Sequence, residues 1–208
     1  MKQNKLTHAV MAAIALIGIA APAHATLLNS STATFSGSAI DFEGLAEGTL
    51  ISNQFAGITF AQDDGGRPMI DNSPFLYGYN ASSGSGVLTG STEGGASFPT
   101  IAALWMTLAV QGSGIEFYLG DTSPLGIYTI NAYDSADVLL ETGTVTPGNF
   151  VGFTGLASLS RVTIDSSVEF DAFAIDDVRL SGSVPEPMSL ALVGLGLVGM
   201  AFSRRRKQ

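Results

Sequence analysis

The sequence contains no cysteine and only two histidines among its 208 residues. Without cysteine there are no disulfides, no thiol nucleophile and no zinc–thiolate site. Both histidines, His8 and His24, lie in an N-terminal segment that we expect to be removed. The remaining chain then lacks the imidazole on which a Ser-His-Asp triad, a histidine general base or a histidine metal site depends. Carboxylate chemistry and oxygen-ligated metals are left.

Positive charge is scarce between the two ends of the chain. Residues 26–183 contain 17 of the 18 acidic residues but only three of the nine basic ones, Arg67, Arg161 and Arg179, so their net charge is −14. A surface this acidic repels nucleic acid and favours solubility or divalent cations. We therefore expect no nucleic-acid partner.

The N-terminal segment has the composition of an export signal. Lys2 and Lys5 precede the apolar run Ala9–Ala21, which is followed by a small-x-small sequence at 23–25. This order is typical of a secretory signal peptide that signal peptidase removes. An uncleaved membrane anchor is the alternative, although the apolar run is short. We predict a signal peptide at residues 1–25, with one exported domain at 26–183 that is long enough for a hydrophobic core.

The last 25 residues divide into three parts. They are the turn Pro185, Glu186 and Pro187, the apolar segment Met188–Phe202, and the basic cluster Arg204, Arg205, Arg206 and Lys207. As a helix, the apolar segment would be roughly 22 Å long against about 30 Å of membrane hydrocarbon, which is short for a permanent span. The basic cluster is expected to stay on the cytoplasmic side. The pattern predicts transient attachment to the membrane.

This tripartite order resembles the PEP-CTERM sorting signal of Gram-negative bacteria. The resemblance implies recognition by an exosortase in the inner membrane and cleavage near residues 185–187. It also implies delivery to the cell surface or to an extracellular exopolysaccharide matrix. The alternative is an ordinary C-terminal anchor that stays in the inner membrane.

Residues 26–183 show the pattern of an all-β domain. Short β-branched or aromatic runs are interrupted by Gly, Ser, Asn and Asp every 8–12 residues, and no useful helical periodicity occurs. About nine or ten strands of this kind predict a single jelly-roll-like β-sandwich, flanked by the signal peptide and the C-terminal apolar helix.

Individual segments differ in how clearly they predict a strand. Gly57–Ala61 is a clear strand, Thr32–Phe42 alternates only loosely, and Gln62–Asn72 has the polar composition of a loop. Ile101–Val110 is the most apolar segment and predicts a central strand, with a buried helix as the alternative. We expect its Trp105 to lie in the core.

Two acidic segments stand at opposite ends of this domain. One is the sequence 41–43, and the other is the pair Asp176 and Asp177 in the last predicted strand. The apolar alternation changes face across that pair, which predicts a β-bulge there and at least one inward-pointing carboxylate. Because a buried unpaired carboxylate costs several kcal/mol, a divalent cation is the natural partner, and an all-oxygen site favours calcium.

The two acidic segments are similar to motifs in jelly-roll carbohydrate-binding modules and MAM-type adhesion domains. That resemblance implies a structural calcium bound by Glu43 and Asp177, with Asp41 and Asp176 as the next candidates. MAM domains carry disulfides and this chain has no cysteine, so only the metal site transfers. The alternative is that all four acids are solvated residues at strand ends.

Phe75, Tyr77 and Tyr79 are candidate glycan contacts, because closely spaced aromatic rings beside a Ser/Gly loop suit sugar binding. Ordinary core or sheet-surface aromatics are the alternative. The sequence as a whole predicts no catalytic residue and a non-enzymatic, exported, exopolysaccharide-associated or glycan-binding protein. A carboxylate-dependent glycoside hydrolase or polysaccharide lyase is one alternative, and an inert matrix or adhesion protein is another.

Overall fold

The computed structural model describes residues 25–73, 80–91, 93, 103–120, 126–166 and 173–181. These residues contain eleven β-strands and no helix. The strands are β1 (Thr26–Ser30), β2 (Ile58–Gln62), β3 (Met69–Asp71), β4 (Val87–Thr89), β5 (Leu104–Gly112), β6 (Gly114–Gly120), β7 (Tyr128–Tyr133), β8 (Leu139–Val145), β9 (Asn149–Thr154), β10 (Leu159–Ser166) and β11 (Ala174–Ser181).

The strands form two antiparallel sheets. The six-stranded sheet has the order β1-β9-β6-β11-β4-β3, and the five-stranded sheet has the order β2-β5-β10-β7-β8. The predicted all-β sandwich is therefore confirmed, with eleven strands in the described residues instead of nine or ten. The final strand, β11, is an interior strand of its sheet, between β6 and β4.

The core lies between the inner faces of the two sheets and follows the two-residue period of the strands. Leu104, Met106 and Leu108 of β5 are buried, as are Phe117 of β6 and Phe153 of β9. The segment Ile101–Val110 predicted a strand, and β5 confirms it. The placement of Trp105 in the core was wrong: it alternates with the buried residues of β5 and is only half-buried.

The loosely alternating segment Thr32–Phe42 does not form a strand. The strand of this region is β1, which precedes the segment and pairs with β9. The buried carboxylate of Glu116 accepts the backbone N–H groups of Thr34 (2.7 Å) and Phe35 (3.2 Å), so those donors bind a side chain instead of a sheet neighbour. The predicted loop Gln62–Asn72 also contains a short strand, β3.

Several predicted features lie outside the described residues. They are residues 1–24 of the signal peptide, the glycan candidates Phe75, Tyr77 and Tyr79, and the tail with its apolar segment and basic cluster. Within the described ranges, no helix is long and apolar enough to cross a membrane.

Candidate functional site

The two acidic segments lie side by side because a β-bridge joins their neighbours. Ile40 donates its N–H to the carbonyl of Val178 (2.9 Å), and Val178 donates back to Ile40 (3.0 Å). This exchange places residues 41–43, near the start of the domain, against Asp176 and Asp177 of β11. Strand pairing thus brings together residues that are more than 130 positions apart in the chain.

The predicted irregularity in β11 is present at the aspartate pair. The register with β6 shifts between Asp176 and Arg179, and Asp177 has a φ of 51°. Positive φ is uncommon outside glycine and is best tolerated by Asn and Asp. The shift leaves both side chains inside the protein, with exposures of 0% for Asp176 and 8% for Asp177.

Asp176 is held by the loop that precedes β4. Its Oδ2 accepts hydrogen bonds from the backbone N–H groups of Ser82 and Ser83 and lies near the Ser82 hydroxyl, each at 3.0 Å. Its Oδ1 accepts the N–H of Asp177 at 2.7 Å. Burial, and less strongly the charge of Asp177, raise the pKa of Asp176 to about 6 against the opposing effect of these hydrogen bonds.

The Ser82 hydroxyl lies between the two aspartates, 2.6 Å from Oδ2 of Asp177. A hydroxyl has one hydrogen, so Ser82 donates it to one carboxylate at a time or shares it between the two. The Ser82 hydroxyl therefore links the two aspartates.

Glu43 binds the other end of the same loop. Its Oε1 accepts the N–H groups of Ser85 (2.8 Å) and Gly86 (2.7 Å), and its own N–H is accepted by Asp41 Oδ1 at 3.2 Å. Gly84 has a φ of 49°, and a Cβ there would clash with the Glu43 carboxylate. Glycine at this position therefore allows the loop to approach the carboxylate.

We call the four acids and loop 82–86 the acidic junction. Arg179 supplies its only nearby positive charge among the described residues, with Nη2 at 3.6 Å from Asp177 Oδ2. The same guanidinium lies 4.0 Å from Glu116 and over the ring of Phe150. One arginine thus faces several carboxylates, so the acidic junction has excess negative charge.

The fit of the acidic junction to a cation is limited by its hydrogen bonds. Glu43 Oε2 and Asp177 Oδ1 accept no hydrogen bond from the described residues, but the oxygens that face the loop are already bonded to N–H groups. Across the parts of the chain that the structure describes, no group of three or more Asp, Glu, His or Cys side chains is placed to hold a metal ion. The four predicted ligands divide between the two ends of loop 82–86.

Sequence reasoning missed Ser82 and Ser83 as the partners of Asp176, because the Ser/Gly loop was considered only as a neighbour of the aromatic residues 75–79. It also missed the buried carboxylate of Glu116 in β6. The alternation in β6 places Glu116 on the face away from Ile115 and Phe117, which alone would predict a solvated side chain. Its burial comes from residues 34 and 35, which the sequence of β6 does not indicate.

Comparison with known proteins identifies the end of the chain. Residues 183–207 match the PEP-CTERM protein-sorting motif, a range that contains the predicted Pro-Glu-Pro turn, apolar segment and basic cluster. The match supports an exported protein that passes through the membrane, is processed by an exosortase and is sorted to the cell surface. A comparison with curated proteins finds no match.

Proposed function

We propose that this carrier of a PEP-CTERM sorting motif is a non-enzymatic β-sandwich of the cell surface or exopolysaccharide matrix that contacts glycans there. The observation that carries the proposal is the position of the motif. It begins at residue 183, two residues after β11 ends at Ser181, so the sandwich is the cargo that the motif directs.

Processing of the motif tests the first part of the proposal. In a host with an active exosortase, we expect the full chain to lose its C-terminal segment and to be recovered outside the inner membrane. In the same host without the exosortase, or with the double variant Pro185→Ala, Pro187→Ala, it should stay in the membrane fraction at its longer mass. Ser183→Ala is the control that leaves the motif turn intact. Identical masses with and without the exosortase would contradict the proposal.

The proposal that the protein is not an enzyme is supported by the bonding of its carboxylates. General acid–base hydrolysis of a glycoside needs two carboxyl groups that face a substrate. Asp176 and Glu43 instead direct oxygens at backbone N–H groups of loop 82–86. Release of new reducing ends, or of unsaturated products, from a polysaccharide that the protein binds would overturn this part and favour the hydrolase or lyase.

We further propose that the acidic junction takes up a structural calcium, with Glu43 and Asp177 as principal ligands. The excess negative charge and the two carboxylate oxygens without hydrogen bonds support it. A cation that binds only the folded state raises its stability, by about 2.7 kcal/mol at a concentration 100 times Kd. We expect calcium to raise the melting temperature of the wild-type protein.

The calcium proposal has a matched control on the other sheet. The double variant Glu43→Gln, Asp177→Asn should lose the calcium-dependent rise, whereas Glu141→Gln on β8 should keep it. If EDTA and calcium give the same melting temperature for the wild-type protein, the hydrogen bonds of loop 82–86 alone satisfy these carboxylates and the calcium proposal fails.

A further inference from the structure

The outer face of the five-stranded sheet carries a group of aromatic and planar side chains that none of the functions above uses. Trp105 of β5, Arg161 of β10 and Tyr133 of β7 are half-buried on this face. Leu139, which pairs with Tyr133 in the register of β7 and β8, is 50% exposed beside them. We call these four residues the aromatic stripe.

Arg161 is stacked between the two rings of the aromatic stripe. Its guanidinium carbon lies 4.7 Å from the centroid of Trp105 and 4.8 Å from that of Tyr133. Nη1 forms a salt bridge of 2.9 Å with the exposed Asp137, while the buried Nε has no hydrogen-bond partner in the described part of the chain. Stacking on both sides fixes the plane of the guanidinium.

Hydroxyl and amide groups surround the aromatic stripe. Thr163 pairs with Trp105 on one side and with Asn131 on the other. Asn131 donates to the hydroxyl of Thr163 at 3.4 Å and accepts the hydroxyl of Thr142 at 2.6 Å. Thr107, next to Arg161 in the register, is exposed. These polar groups lie on strands, so their positions are fixed before any ligand arrives.

From this arrangement we propose that the aromatic stripe, with the exposed Thr107 beside it, binds a segment of neutral polysaccharide. Aromatic rings bury the C–H faces of sugars, and the guanidinium, amide and hydroxyl groups are suited to sugar hydroxyls. The net charge of −14 on residues 26–183 opposes a polyanion. Asp137 already neutralises Arg161, so the face offers no free positive charge to an acidic glycan.

The inference rests on the proposed glycan contact and assigns it to a different place from Phe75, Tyr77 and Tyr79. The test is affinity electrophoresis of the mature protein in gels containing dextran, hydroxyethyl cellulose or galactomannan, with alginate as the acidic comparison. We expect retardation by at least one neutral polysaccharide and none by alginate. Trp105→Ala and Arg161→Lys should each weaken that binding ten-fold or more, the latter because lysine keeps the charge but lacks the planar fork.

The controls distinguish an error in the location of the glycan site from an error in the proposed glycan contact itself. Tyr118→Ala removes a half-buried aromatic from the other sheet and should leave binding unchanged, and thermal melts identify any variant that fails to fold. Trp105→Phe keeps a ring and should restore part of the affinity. If wild-type protein binds but the aromatic-stripe variants bind equally well, this assignment is wrong and the proposed function stands. If wild-type protein binds alginate alone, the neutral class is wrong and the proposed glycan contact stands. If it binds none of the four polysaccharides, both the site assignment and the proposed glycan contact fail.

Discussion

At the scale of single residues, the central feature is a buried carboxyl group held by a loop. Asp176 is fully buried, and its hydrogen bonds come from Ser82, Ser83 and Asp177. Backbone N–H groups stabilise a carboxylate, but burial outweighs them here and raises the pKa. The folded protein is therefore less stable when Asp176 is ionised than when it is neutral.

This cost makes the stability depend on pH. The pKa of Asp176 is about 6 in the folded protein against an ordinary value of 3.8, so the folded state binds this proton more tightly. The stabilising contribution is complete below pH 3.8 and is lost as the pH rises through 6. We expect the free energy of unfolding to lose about 1–2 kcal/mol from this group between pH 4 and 7.

Asp176→Asn should remove that part of the pH dependence, whatever it does to the stability at any one pH. Urea unfolding of both proteins at pH 4 and pH 7, in EDTA, measures the difference in slope. Glu141→Gln, on β8 of the other sheet, is the control and should keep the wild-type slope. Equal slopes for wild type and Asp176→Asn would show that Asp176 has no raised pKa.

At the scale of the elements, the pairing of β9 with β6 requires a glycine at position 152. Gly152 pairs with Glu116 and has a φ of 152°, and a Cβ at this position would clash with the carbonyl of Ile115. The close approach lets β9 bond to β6 on one side and β1 on the other. This local contact depends on the neighbouring strand, so it is not visible in the sequence of β9.

Gly152→Ala should therefore destabilise the sandwich by about 2 kcal/mol or more, because the backbone of β9 or β6 must shift. Gly148→Ala is the matched comparison: it also has positive φ (86°) but open space around the added Cβ. It should cost only about 1 kcal/mol of backbone strain. Denaturant unfolding measures both, and equal losses would mean that the clash with Ile115 is relieved without cost.

At the scale of the whole molecule, the last strand completes the fold. β11 bonds to β6 and β4 and contributes Ile175 and Val178 to the core. Without it, β4 and β3 would lose their connection to the rest of the six-stranded sheet. The sorting motif begins two residues later. The sandwich can therefore fold only after nearly all of the chain up to the motif has been exported.

Deletion of strands tests whether folding requires β11. A chain of residues 26–181 should unfold cooperatively, whereas residues 26–172, which lack β11, should show no cooperative transition in a thermal melt followed by circular dichroism. Residues 31–181, which lack only the edge strand β1, are the control and should melt cooperatively at a lower temperature. A cooperative transition in residues 26–172 would contradict the central role of β11.

The sequence by itself determined the C-terminal sorting motif and the all-β class, because charge order, apolar length and two-residue alternation are properties of neighbouring residues. The same is true of the bulge at Asp176, where the change of alternation lies within one strand. The sequence also allowed the half-buried position of Trp105 to be predicted, since this residue alternates with Leu104 and Met106. Its hydrophobicity led to the wrong prediction.

Only the tertiary structure decided which distant groups meet. Ser82 became the partner of Asp176, Glu116 replaced sheet pairing for Thr34, and Arg161 stacked between two rings because strand order placed them together. Strand pairing is non-local, so a hydrogen-bond donor and its carboxylate leave no shared signal in a single sequence. The chemistry of each residue can be read locally, but its partner depends on how the two sheets assemble.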